Sequence, residues 1–283
     1  MEKLRKSCGG KAVEKLWKSC GKAVEKLRKR QNLVFNQLFG VMNRIKLLHG
    51  NCLELLPELE PNSVDLVFCD LPYGQTYCKW DTKIDLSEMW KEVKRVIKPT
   101  TPIFFTCSTK FGYELIKSNE KWFRYDLVWD KSSLCGFLNA KQMPMRGHEM
   151  IYVFYETLPL YDIGGHSREQ VGIHPVRRRG VESPYNNCKS GAIQYQYNPP
   201  LPTSILKFRS EKEKHQTQKP TTLMSWILKY YSKEGDVVLD PTMGSGSMGK
   251  SCKDMNRYFI GIEMDQDIYN TAVERLEYQT ANS

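Results

Sequence analysis

The run Val64 to Cys69, followed at once by Asp70-Leu71-Pro72-Tyr73-Gly74, constrains the fold of this chain more than any other stretch. It is short, apolar and β-rich, which suits a buried strand, and the proline and glycine behind it end ladder pairing. Such a strand delivers four residues to the carboxyl edge of a sheet, where open α/β sheets bind their ligands. An acid, a rigid proline and an aromatic ring placed there together read as a site. An Asx-type turn with Tyr73 packed in the core is the other reading of the same four residues. A carboxylate and a proline-fixed carbonyl can both accept hydrogen bonds from one exocyclic amino group, while a tyrosine ring stacks on the attached base.

Two further segments carry chemistry. Gly235 to Gly249 reads as an apolar strand, a glycine-rich turn and a helix, with Asp240-Pro241 ahead of Gly244-Ser245-Gly246. Taken literally, Gly244 to Gly249 fits the dinucleotide fingerprint, and Glu263, ending the apolar run Tyr258 to Ile262, sits near the spacing of a ribose-binding acid. A solvated acid at a strand end is the plainer reading of Glu263. Upstream lies His215-Gln216-Thr217-Gln218-Lys219-Pro220, leading into the amphipathic run Leu223 to Tyr231. Alone, that segment would be a helix entry with a basic residue.

Together the three segments resemble the β-group DNA amino-methyltransferases, which methylate adenine N6 or cytosine N4. Asp70-Leu71-Pro72-Tyr73 is similar to their Asp-Pro-Pro-Tyr motif, with leucine at the second position. Asp240-Pro241-x-x-Gly244-Ser245-Gly246 looks like their S-adenosylmethionine loop, and His215 to Pro220 is similar to their His-Pro-Thr-Gln-Lys-Pro segment. The resemblance covers roughly Arg44 to Leu276. It implies an α/β, Rossmann-like fold: a circularly permuted, seven-stranded, mostly parallel sheet with one reversed strand and an inserted target-recognition region. It also implies catalytic roles for Asp70, Leu71, Pro72 and Tyr73. The cofactor S-adenosylmethionine would be held by Asp240, Pro241, Gly244, Ser245, Gly246, Glu263, Lys219, Gln218 and Thr217. Asn51 stands where the family usually has aspartate near the cofactor's adenine. The expected reaction is methyl transfer to adenine N6 in double-stranded DNA, on a flipped base and without a metal. Adenine is expected over cytosine because an acid opens the Asp70 motif, where the cytosine N4 relatives usually open with serine. A cytosine N4 enzyme, an RNA or protein methyltransferase, an inactive DNA-binding protein and a nicotinamide-dependent oxidoreductase stay open as alternatives.

The organisation follows from composition. Residues 1–35 form a basic, duplicated extension: Lys6 to Trp17 recurs, one glycine shorter, as Lys18 to Leu27. Residues 1–30 hold 11 of the 42 Lys and Arg and three of the 32 acids, so they carry +8 of the formal +10. The basic character belongs mainly to this extension, which could contact phosphates or pair with a partner helix. Residues 36–160 form the catalytic part, 161–214 the target-recognition insert and 215–283 the cofactor-binding part. Within the first part the strands expected are Ile45 to Leu48, Val64 to Cys69, Ile103 to Cys107, Phe123 to Trp129 and Met150 to Tyr155. Lys131 to Gly147 reads as a loop able to close over a substrate. The insert lacks periodicity but contains Arg177-Arg178-Arg179, candidate DNA contacts together with Trp80. The nine cysteines include no Cys-x-x-Cys pair, so neither a zinc site nor a disulfide framework is indicated. No apolar run approaches the roughly 20 residues of a membrane span, and the expectation is a cytoplasmic protein of a bacterial or viral system acting on DNA inside the cell. The resemblance allows a homodimer; a partner endonuclease cannot be read from this chain.

Overall fold

The computed structural model describes residues 44–72, 84–174, 192–210 and 218–277. The chain divides into two compact units, Met1–Lys46 and Leu47–Ser283, and nearly all of the described residues belong to the second. The N-terminal extension and, among the expected site residues, Tyr73, Trp80, Arg177, Arg178, Arg179 and Thr217 lie outside the described residues.

In chain order the described strands are β1 (Ile45–His49), β2 (Leu66–Cys69), β3 (Ile103–Cys107), β4 (Phe123–Cys135), β5 (Arg146–Phe154), β6 (Ser167–His174), β7 (Ala192–Asn198), β8 (Ile205–Lys207), β9 (Val237–Asp240) and β10 (Tyr258–Glu263). The helices are α1 (Cys52–Leu55), α2 (Leu86–Val96), α3 (Thr109–Ser118), α4 (Thr221–Tyr231), α5 (Ser247–Asp254) and α6 (Gln266–Glu277). Among the described residues eight strands form one sheet in the order β1-β10-β9-β2-β3-β5-β4-β8. β9 runs parallel to both β10 and β2, and β2 runs parallel to β3. β5 is reversed against its neighbours β3 and β4. The cofactor strand expected near the carboxyl end of the sequence, β9, thus sits beside β2 at the sheet's centre, as a permuted doubly wound sheet requires.

Residues of β2, β3 and β9 are buried throughout. Continuous burial is what a parallel strand covered on both faces needs, and it explains why these segments read as unbroken apolar runs. On one face Trp90 of α2 meets Phe105 and Phe154 edge-on or tilted, with ring centroids 5.4 and 5.2 Å away. Burying each such ring contributes about 2–3 kcal/mol. α2 begins where Asp85 accepts from the Ser87 and Glu88 amides, and α3 where Ser108 accepts from Phe111. Both are side-chain N-caps that satisfy otherwise orphaned donors. At Gly249 in α5 an added Cβ would come within 2.8 Å of Leu276 and Phe259, so glycine is what lets α5 lie against α6 and β10.

Three features depart from expectation. The sheet has eight strands rather than seven among the described residues, because β8, part of the 161–214 segment, adds in parallel to the edge of β4. β6 and β7 of the same segment form a separate antiparallel pair, which lacks the alternation of a half-buried strand because its β7 residues Tyr195, Gln196 and Asn198 are exposed. Finally, the segment expected as a loop at Lys131 to Gly147 extends β4 and β5 into a hairpin paired as far as Cys135 and Arg146. Its Gly, Ser and Met content hid the ladder, since polar and flexible residues on a two-sided exposed ribbon give no period-2 signal. No described helix is long and apolar enough to cross a membrane.

Candidate active site

β2, β3 and β9 are parallel neighbours, so their carboxyl ends, Cys69, Cys107 and Asp240, open at one edge of the sheet. Asp70, the first residue past β2, is gripped there from two sides. The Thr106 hydroxyl donates to Oδ1 at 2.5 Å, and the Lys219 Nζ donates to Oδ2 at 2.5 Å. Lys219 is only 11% exposed and reaches a second carboxylate, Glu149 of β5, at 3.5 Å. Glu149 is in turn ion-paired with Lys131 of the hairpin. Burial pushes the Glu149 carboxyl up, but Lys219 and Lys131 outweigh it and hold the group below its ordinary value. Leu71 is buried and Pro72 half-buried, so the leucine in place of proline is accommodated as core.

The glycine loop lies against this turn. The Thr242 hydroxyl donates to the Asp70 carbonyl at 3.1 Å, and the Thr242 amide donates to the Asp240 carboxylate at 3.2 Å. Asp240 is buried; desolvation, opposed by that amide and reinforced by the nearby Asp70 and Glu263 charges, drives its pKa well above the usual carboxylate range. Glu263, at the end of β10, accepts from the Gly244 amide at 3.0 Å and the Asp265 amide at 2.9 Å. Burial raises it too, against those two amides. Gly244 has φ +54 and an added Cβ would meet no atom within 4 Å, so the loop turns a bare backbone toward open space. Gln218, next to Lys219, is 7% exposed with neither its amide oxygen nor its nitrogen hydrogen-bonded. A buried amide left unpaired costs about 1–3 kcal/mol.

A family profile described as DNA methylase, covering the N6-adenine and N4-cytosine types, matches residues 64–274. The chain belongs to this family. Two relatives extend the match beyond the motifs of the methylase. The type II methyltransferase M.HinfI of Haemophilus influenzae is 26% identical over 257 residues, covering 81% of this chain and 67% of the relative. M.HpaI of Haemophilus parainfluenzae is 26% identical over 245 residues, covering 82% and 74%. Among solved structures, the M1.HpyAVI complex with SAM superposes with a TM-score of 0.56 at 22% identity, covering 82% of this chain and 99% of that one. The cytosine-N4-specific PvuII methyltransferase superposes at 0.59 with 14% identity, covering 82% and 88%. At such identities the superpositions establish a shared fold for the methylase.

The structure gathers Asp70, Lys219, Gln218, Asp240, Gly244 and Glu263 at one edge of the methylase sheet. It engages two other expected residues elsewhere. Ser245 is buried, and its carbonyl and hydroxyl accept from Arg275 at 3.3 and 3.5 Å, which ties the loop to α6. Asn51 spends its side-chain oxygen on the Leu53 amide as the cap of α1, while the neighbouring Gly50 amide donates to the Glu263 carbonyl at 2.9 Å. Sequence reasoning missed Thr106, Thr242, Lys131 and Glu149. Of these only Glu149 carries a local mark, the pair His148-Glu149 ahead of an apolar strand. Among the described residues no cluster of three or more His, Cys, Asp and Glu is arranged to hold a metal.

Proposed function

We propose that this DNA amino-methyltransferase transfers a methyl group from S-adenosylmethionine to adenine N6 in duplex DNA, on a base rotated out of the helix. The observation that carries the reading is Thr242, whose hydroxyl and amide tie the Asp70 turn to the Asp240 loop and so make one site of two motifs. The residues fit the cofactor. Asp240 lies among the charges of Asp70, Glu263 and the single cation Lys219, an acid-rich environment suited to a cation, and the bare Gly244 backbone and the unpaired Gln218 amide border it. Glu263 would take ribose hydroxyls, and Asp240, Gln218 and the Gly244 loop the amino-acid part. When bound, S-adenosylmethionine supplies an electrophilic methyl group on sulfur.

The rest is the work of the chain. An exocyclic amine lies inside the base-pair stack, so the target must leave it, and Tyr73 would stack on the extruded ring. Thr106 and Lys219 fix the rotation of the Asp70 carboxylate and take one lone pair on each oxygen, leaving the others for an amino hydrogen. The second amino hydrogen falls to the main-chain carbonyl of Leu71, held by Pro72. Two acceptors in fixed positions leave the nitrogen lone pair aimed along a third direction, the acceleration comes from that alignment, and the proton that the nitrogen sheds after the N–C bond forms leaves by way of Asp70. Adenine is favoured because the motif opens with the acid Asp70. Arg177 to Arg179 and Trp80 supply contacts to the duplex.

The test is incubation with labelled S-adenosylmethionine and mixed-sequence duplex DNA, followed by nucleoside mass spectrometry, beside Asp70→Ala. N6-methyladenine from the wild type and none from the variant is the expected result. N4-methylcytosine would overturn the base, and cofactor binding with no methylated nucleoside would overturn the DNA substrate.

A further inference from the structure

The hairpin that continues β4 and β5 is an unassigned surface at the active-site edge. The last rung of β3 pairs Cys107 with Met150, and the next rungs of β5 pair Glu149 with Trp129 and His148 with Asp130 of β4, so residues 131–147 rise past the end of the sheet on the side of Asp70. Glu149, at the foot of this ribbon, is bound to Lys219, which is bound to Asp70. Arg146 is three residues further, and a strand rises about 3.3 Å per residue, so the tip clears the ion network by about 10 Å.

Its composition is unlike that of an idle turn. Phe137 is 81% and Leu138 96% exposed at the tip, and Leu134, Met143 and Met145 are exposed beside them. From Lys131 through His148 there is no acid, and Lys141 and Arg146 are cationic in addition to Lys131, which is paired with Glu149 at the foot. Gly136, with φ +87, turns the chain into the one-turn 3₁₀ segment Phe137–Asn139 that displays the two large side chains. An exposed apolar tip loses free energy unless something covers it, and the cations around it select a polyanion as the cover.

The geometry points to a wedge: Phe137 and Leu138 enter the base stack of bound DNA and fill the space the target nucleotide leaves, while Lys141 and Arg146 hold the flanking phosphates. Apolar side chains of this kind are suited to parting base steps, at a cost that the added contacts offset. The proposal rests on the DNA reading above and adds to it the residues that drive extrusion. The two residues touch nothing in the ion network, so cofactor binding is independent of them.

The test begins by mapping the base that the wild type methylates in mixed-sequence duplex, then measures single-turnover methylation of that site in a matched duplex and in one with a mismatched partner opposite the target. Phe137→Ala/Leu138→Ala is compared with Leu158→Ala, an equally solvent-facing change away from the hairpin. The double variant is expected to bind S-adenosylmethionine as the wild type does, to slow at least tenfold on the matched duplex, and to recover to within about twofold on the mismatched one, whose base is already loosely held. Unchanged rates on the matched duplex overturn the wedge, as does an equal loss on both duplexes, which marks a loss of affinity instead. A dimer that the substitution splits, with rates following the dimer, assigns the tip to a second copy of the chain. A wild type that methylates no duplex overturns the functional reading and the wedge with it, and is distinguished because it shows before any variant is made.

Discussion

Asp240 sits where its charge is disfavoured without a ligand. Its carboxyl is buried among other acids, so the folded state holds a proton more tightly than the unfolded chain does, and its pKa lies well above the ordinary 3.8. For a raised pKa the contribution to stability is complete below that ordinary value and is lost as pH rises through the folded one. Asp240→Asn, which keeps an oxygen for the Thr242 amide, should therefore stabilise the cofactor-free protein at pH 8 by about 1–3 kcal/mol and not at low pH, while weakening cofactor binding. Urea unfolding at both pH values checks it; lower stability of the variant at pH 8 refutes it. Glu149 has the opposite sign. Its pKa is depressed below 4.5, so its contribution is present above that value and is lost as pH falls through the folded one. Glu149→Gln leaves Lys131 and Lys219 without their shared counter-charge and should cost about 2–4 kcal/mol at neutral pH. Methylation should fall about tenfold, because Lys219 no longer holds Asp70 in one rotamer; wild-type turnover in the variant would show that Lys219 does not depend on Glu149.

At the level of elements, the packing of α5 against β10 and α6 decides where the glycine loop stands. Gly249 is the point of closest approach, with Leu276 and Phe259 within 2.8 Å of a Cβ built there. Gly249→Ala should cost about 1–3 kcal/mol by overpacking and should also reduce cofactor affinity, since displacing α5 moves the Gly244 to Gly246 loop at its start. Chemical denaturation and cofactor titration on the same sample separate the two effects; a variant as stable and as tight as the wild type would mean the helix has slack that the packing does not show. β2, β3, β9 and β10 were legible in the sequence because buried parallel strands are apolar along their whole length. β8 and the β4–β5 hairpin were not. Three residues, Ile205 to Lys207, carry no periodicity, and a strand added at an edge is recruited by its neighbour's free backbone groups, not by its own side chains.

For the whole molecule, a site that cofactor completes implies a large response to ligand. At a cofactor concentration of 100 times its Kd, binding to the native state alone adds about 2.7 kcal/mol, which for a domain of this size corresponds to roughly 5–10 °C in Tm. Thermal melts with and without S-adenosylmethionine measure it, and no shift at saturating cofactor would remove the basis of the assignment. The sequence by itself determined where the buried strands lie and that Asp70, Asp240 and Glu263 stand at their ends, because strand ends are marked locally by proline, glycine and a stop in apolar residues; the permuted parallel sheet was implied by the family resemblance. Which groups surround those acids was decided only by the tertiary structure. Thr106, Glu149, Lys131 and Lys219 come from β3, β5, β4 and the entry to α4, between 36 and 149 residues from Asp70 where the bond is direct. An isolated threonine or lysine carries no local mark of the partner it will meet, since that partner is set by sheet order and register, which are properties of the assembled fold.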